Sequence, residues 1–431
     1  MRRPCLALCS FSYGAANGIA RMDELLASGL AGLGFSVERY VVDAGLTGEG
    51  HIRDGIRFLS VEHAVDALTG AFANADIVQF NGGFDPCFFF AAATARVPVV
   101  LEVMHNNEPG GMHRETDAVI CVSERVRAAQ TRRDSLVIPN GVDCERFSFK
   151  PGRRGGDPVL LQVVNAAKTV QFSLDELLPD LLESRPGISA LLAGGRRSAP
   201  HAGIQNHGVV PDPASLYHQA DLNMVACDND AFGLTLAEGM ACGCLPLASP
   251  AGGAKEFIKH GVNGWLVPGT RQSWLDSLHA AMDLLGSSAH QTMQHQARDC
   301  IERHYSARSC VSRYAELYQS LHARFPVRRE READVGWMPL MQAALLCGHD
   351  LPRAFTCLER FVQAGNPLER GMLSHPGASG TLAICIRLCG LLLDDNPRLI
   401  RAFCALLRIS RIASEELATL EHRARTPAGR P

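Results

Sequence analysis

Short apolar runs alternate with longer segments of helical spacing, and the alternation passes through this chain twice. In the first block CLALCSF (5–11), SVERYVV (36–42), ADIVQFNGG (75–83), VPVVLEVMHNN (97–107) and DAVICVS (117–123) read as strands. MDELLASGLAGLGF (22–35) carries apolar residues at helical spacing after a Gly-containing loop, Gly14 to Gly18. In the second block PVLLQVVN, ISALLAGG, DLNMVAC and LPLASP read as strands and LDELLPDLLESRP as a helix. Runs that are apolar throughout and end in polar residues are the mark of parallel strands buried on both faces. A parallel sheet needs crossover helices, so two such blocks imply two doubly wound α/β domains facing each other.

The joints follow from composition. RFSFKPGRRGGDP (146–158) is rich in Gly, Pro and Arg and reads as a linker. The expected division is a first domain over 1–150, a second over 151–305, and a crossover helix and linker over 306–329. After VRREREADVG (327–336) the character changes: MPLMQAALLC, PRAFTCLERFVQA, TLAICIRLCGLLL, PRLIRAFCALLRIS and SEELATLEHRAR suggest helices and no strands. Residues 330–431 are therefore expected to form an appended all-α domain of unknown role, available to a protein partner or to a second copy of the chain. TLAICIRLCGLLL has 13 residues with Arg387 inside, too short for a span of ~20 residues.

Charge and cysteine usage narrow the function. The net charge of −3 gives no electrostatic case for nucleic acid. Fifteen single cysteines without zinc-type pairs fit a reducing compartment, and no secretory leader is read at the start. The expected location is the cytoplasm, with peripheral attachment at the inner membrane face left open.

One segment carries chemistry. DAFGLTLAEGMACGC (230–244) sets two carboxylates, Asp230 and Glu238, eight positions apart around Phe232-Gly233-Leu234. Gly233 permits close approach of a ligand, and a helix beginning there offers free amides to a diphosphate. Eight residues of helix span ~12 Å, so two acids so placed can mark the ends of one extended ligand. An isolated acid pair is ordinarily solvated surface; the surrounding block is what changes the reading.

That block resembles the acidic signature of retaining glycosyltransferases of family 4, which have the GT-B fold: two facing Rossmann-like domains. The match runs on through Met240-Ala241, Gly243, Pro246, Ser249, Gly252-Gly253, Glu256, Gly261 and Gly264. VVPDPASLYHQADL (209–222), DAVICVSERVRAA and VIPNGVDCERF (137–147) are similar to other segments of the family, and the resemblance covers roughly residues 5 to 325.

The resemblance implies transfer of a sugar from a nucleotide-sugar donor with retained anomeric configuration, and no metal or other cofactor. It implies that Asp230 holds the donor sugar and Glu238 the ribose, with Phe232, Gly233 and Leu234 at the diphosphate. Asn17 and Gly18 stand where the family places a Gly-Gly near the diphosphate and acceptor. His105, with Asn106 beside it, would hydrogen-bond the sugar. Lys168 matches the family's phosphate-binding Lys. Val209 lies in the segment expected to select the base by backbone contacts, and Glu256 is a secondary candidate at the cleft.

Two departures stand out. Asp230 replaces the usual Glu. The Arg expected near 163–165 is absent, where the chain reads Val-Val-Asn; Arg196 or Arg197 is the proposed substitute. UDP is the default donor base, and the acceptor is open among glycans, lipid-linked sugars, natural products and proteins. The rival readings are a sugar-nucleotide epimerase or a phosphorylase on the same fold, and a non-catalytic sugar-nucleotide-binding protein.

Overall fold

The structure is a computed structural model. It describes residues 4–11, 18–42, 51–53, 56–61, 65–81, 87–107, 116–130, 132–151, 156–164, 168–195 and 202–329. The expected helical domain over 330–431 lies outside the described residues, as do Asn17, Arg196 and Arg197.

The first half forms β1 (Cys5–Phe11), α1 (Gly18–Gly32), β2 (Ser36–Val42), β3 (His51–Arg53), β4 (Ile56–Val61), α2 (Val65–Ala71), β5 (Ile77–Asn81), α3 (Cys87–Thr94), β6 (Val99–Met104), β7 (Ala118–Cys121), α4 (Glu124–Ala129) and β8 (Leu136–Val137). They make one sheet in the order β3-β4-β2-β1-β5-β6-β7-β8. All its pairings are parallel except that of β3 with β4. β6 and β7 are buried along their whole length, as a strand covered on both faces must be.

The second half forms β9 (Val159–Val163), α5 (Leu174–Ser184), β10 (Ser189–Ala193), β11 (Ile204–Asn206), α6 (Ala214–Gln219), β12 (Leu222–Val225), α7 (Leu234–Cys242), β13 (Leu245–Ala248), β14 (Trp265–Leu266), α8 (Arg271–Leu284), α9 (Ser288–His304) and α10 (Ala307–Arg324). Its six-stranded sheet, in the order β11-β10-β9-β12-β13-β14, is parallel throughout. Two Rossmann-like domains result, which is the GT-B architecture.

Strand order fixes where a ligand can sit. In the first sheet the order reverses between β1 and β5, and in the second between β9 and β12. In open α/β sheets the crevice beyond the carboxyl ends of strands at such a reversal is the binding site. Asn81 ends β5, Val163 ends β9 and Val225 ends β12.

The chain passes between the domains twice. Residues following β8 lead out to the second domain, and α10 returns to pack on α1, where Gly29 leaves room for Val311. The two crossings are hydrogen-bonded to each other: Val142 donates to the Tyr305 carbonyl at 2.8 Å, and Ala307 donates to that of Val142 at 2.7 Å. Arg298 fastens the outgoing crossing by donating to the carbonyls of Phe147 and Cys144. Arg328 and Arg329 then fasten the returning segment to Ala95 and Pro98 of the first domain.

Candidate active site

Between the domains lies a cavity of about 530 Å³ lined by residues of both, among them Gly18, Arg21, His105, Lys168, Val209, Asp230, Phe232, Gly233, Leu234 and Gly195. It is the crevice that the two strand reversals define.

The helix α7 starts where the sequence suggests. Gly233 is its first flanking residue, with φ of 98°, a left-handed conformation open to glycine at little cost. The Phe232 ring is buried against Phe257 and Tyr305, which fixes the loop from beneath. Gly253 holds it from the side: a Cβ there would stand 2.3 Å from the Ala231 carbonyl oxygen. The start of α1 meets the start of α7, since a Cβ on Gly18 would be 3.5 Å from Leu234.

Both acids of the motif are buried, Asp230 at 7% and Glu238 at 2% exposure. Burial of an ionised carboxylate requires partners, and each has them. Lys168 Nζ donates to Asp230 Oδ1 at 2.8 Å. Arg21 Nη1 donates to Glu238 Oε1 at 2.8 Å, and the Tyr217 hydroxyl donates to its Oε2 at 3.0 Å. Burial pushes the Glu238 carboxyl up from the usual range, and Arg21 and Tyr217 pull against that shift.

His105 directly follows Met104, the last residue of β6, at the cavity wall. Its Nε2 lies 3.1 Å from Asn81 Oδ1, while Asn81 Nδ2 donates to Asp23 Oδ2 at 3.0 Å. The amide orientation thus leaves Asn81 Oδ1 as acceptor, so His105 carries its proton on Nε2 and keeps Nδ1 as an acceptor. Burial pushes the His105 pKa down to about 4, so the ring is neutral near pH 7. Burial pushes Asp23 up to about 6, against the lowering influence of Arg39 and Asn81.

Other expected residues are placed as follows. Val209 lines the cavity and is 60% exposed. Asn106 follows His105 but does not line the cavity. Glu256 also lies away from it: its carboxylate accepts from the backbone amides of Glu124 and Arg125, each at 3.0 Å, at the start of α4 in the first domain. An acid at a helix start is favoured by the free amides there, and here acid and helix belong to different domains. Ser123 Oγ to the Ala231 carbonyl at 2.6 Å and Asn107 to that of Asn229 at 2.9 Å cross the same gap. Among the described residues no group of three His, Cys, Asp or Glu is placed to hold a metal ion.

Arg21, Tyr217, Asn81 and Asp23 were not singled out from the sequence. Arg21 offered one signal: it stands three residues after Gly18, so a helix starting at the crevice turns it back toward the same face. The Tyr217 and Asn81 contacts depend on how distant elements pack.

Residues 158–283 match the family described as Glycosyl transferases group 1. The chain is 30% identical over 152 residues to D-inositol 3-phosphate glycosyltransferase of Thermobispora bispora, covering 33% of this chain and 34% of that one. It is 31% identical over 106 residues to N-acetyl-alpha-D-glucosaminyl L-malate synthase of Bacillus anthracis, covering 24% and 27%. The chain thus spans about a third of the length of these curated relatives. Its fold is similar to that of a glycosyltransferase from Rickettsia africae, with a TM-score of 0.60 at 19% identity over 74% of this chain and 99% of the other. It is similar too to Anabaena HepE in complex with UDP-glucose, with a TM-score of 0.58 at 15% identity over 74% of this chain and 100% of the other.

Proposed function

We propose that this chain, which belongs to the glycosyl transferases group 1 family, transfers a sugar from a nucleotide-sugar to an acceptor and retains the anomeric configuration. The observation that carries the proposal is the arrangement around α7. Two buried, cation-paired carboxylates flank a helix start that opens into the interdomain cavity. The donor would lie along that line, its sugar between Asp230 and His105, its diphosphate at Gly18 and Gly233, its ribose at Glu238 and its base toward Val209.

The chemistry asked of such a site is mainly positioning and charge stabilisation. His105 is neutral and offers Nδ1 as an acceptor, so it suits a sugar hydroxyl and not proton abstraction. In front-face transfer the acceptor oxygen attacks from the side of the departing phosphate, that phosphate takes the acceptor proton, and the anomeric C–O bond to it breaks. Lys168 would stabilise the charge that develops. Asp230, one methylene shorter than Glu, would reach the sugar from a carboxylate already steered by Lys168.

UDP is the donor base we propose, by prevalence in the family and by the UDP-glucose complex of HepE. The second reading is a non-catalytic sugar-nucleotide-binding protein. Its support is that the two cations are each paired with an acid of the motif, Lys168 with Asp230 and Arg21 with Glu238.

The test is nucleotide release from UDP-, GDP-, ADP-, TDP- and CMP-sugars without acceptor, with Glu238→Ala as control and thermal shift read on the same panel. Slow release from one donor, lost in the variant, is the expected result. Binding without release, persisting across a broad acceptor panel, would favour the second reading. A chain that neither binds nor turns over any donor would overturn both.

A further inference from the structure

The cavity has a charge problem. A diphosphate leaving group carries at least two negative charges. Among the described residues that line the cavity, Lys168, Arg21 and His105 are the only groups that can be positive. Burial holds His105 neutral, and Lys168 is committed to Asp230. The stretch at the end of β9 where the resemblance calls for an Arg, residues 163–165, reads Val-Val-Asn.

Arg21 is set up differently. It comes from the first domain, one turn inside α1, and the Glu238 it pairs with is one turn inside α7. Their bond joins the domains directly behind the meeting point of Gly18 and Leu234, where the diphosphate would lie. The guanidinium has five N–H donors. Its Nη1 meets Glu238, while its buried Nε has no hydrogen-bond partner among the described residues. Glu238 has the matching difficulty: Tyr217 and Arg21 occupy its two oxygens, so a ribose hydroxyl arriving at Oε1 competes with Arg21.

One exchange resolves both. Resting on the donor site proposed above, we infer that Arg21 is a second diphosphate-binding cation beside Lys168, held in reserve by Glu238 and released when the donor ribose takes that carboxylate. The carboxylate trades a guanidinium for ribose hydroxyls. The guanidinium trades one carboxylate oxygen for phosphate oxygens that its planar fork can meet in two places. No covalent step is involved. The first domain thereby adds a charge to that of Lys168, and only when a donor with both ribose and diphosphate is present.

A nucleoside and its diphosphate separate this role from a structural one. A nucleoside must break the Arg21–Glu238 pair without giving Arg21 a new partner; the diphosphate supplies one. The experiment measures affinities of the full-length chain by calorimetry for UDP, GDP, ADP and TDP and for the matching nucleosides, in wild type, Arg21→Gln and Arg21→Lys. For the preferred base, Arg21→Gln should weaken the diphosphate by about 10- to 100-fold, the scale of a lost charge-assisted contact. The same variant should leave the nucleoside unchanged or bind it more tightly, because Glu238 is freed. Arg21→Lys should recover part of the diphosphate affinity, the share that charge carries without the planar fork. Equal loss for nucleoside and diphosphate, or no loss for either, would overturn the inference and leave the donor site standing. No binding of any nucleotide by wild type would remove the donor site and the inference together.

Discussion

Two titrating groups sit in one hydrogen-bonded row, buried Asp23 and half-buried His105 joined through Asn81, and they pull stability in opposite directions with pH. Asp23 holds its proton more tightly in the fold than in the unfolded chain, with a pKa of about 6 against 3.8. Its contribution is full below about pH 4 and is lost as pH rises through 6. His105 is depressed to about 4 from 6.5, so its contribution is full above about 6.5 and is lost as pH falls through 4. Across pH 4 to 6.5 the two slopes oppose each other. Asp23→Asn should leave the His105 slope alone, so that unfolding free energy climbs over this range; His105→Gln should make it fall. Urea denaturation at stepped pH checks both, and parallel profiles in the two variants would refute the assignment. Lys168→Met tests a different residue. With Lys168 42% exposed, its pairing with Asp230 should add less than ~1 kcal/mol to stability. Donor turnover should nevertheless fall by about 10²- to 10³-fold, as for other losses of a group that meets developing charge.

Elements were legible from sequence where burial writes a simple pattern. CLALCSF and DLNMVAC are largely apolar because the strands β1 and β12 lie inside their sheets, SVERYVV keeps Val37, Tyr40, Val41 and Val42 among charged residues, and β1, β2 and β12 each appear where they were read. HIR and IRFLSV were not read as strands; they form β3 and β4 at one edge of the first sheet, and their charged and polar letters blur the signal. The three-residue β11 is likewise an edge strand, with two of its residues exposed. The start of α7 was legible because Gly233, Phe232 and the acids form one local motif. The partners of those acids were not: Arg21 and Glu238 are 217 positions apart, and nothing local ties them. At this scale Gly253→Ala is the sharpest probe, since its methyl would press on the Ala231 carbonyl. Overpacking of this kind costs about 1–3 kcal/mol. The loop would also shift at Phe232, so the melting temperature and the donor affinity should fall together. A variant with wild-type values for both would show that the loop yields freely.

For the whole molecule, the question is what holds the cleft at its observed width. Glu256, Ser123 and Asn107 each bridge the gap on the side of the proposed sugar site, while Arg21 bridges it at Glu238. Glu256→Gln should weaken the grip on α4 by about 1–2 kcal/mol. The ligand-free chain should then widen in solution scattering, and donor should narrow it again. Unchanged scattering would mean that the other bridges suffice. The two hydrogen-bonded crossings near Val142 and Ala307 carry a separate consequence. A single connector lets two bodies swivel and drift; a pair tied side by side resists torsion and leaves bending as the easy motion. The halves should also outlive a cut. If the backbone is opened in the outgoing crossing, the returning helix still belongs to the first body by packing and to the second by covalent bond. The fragments should copurify as one particle until denaturant releases them.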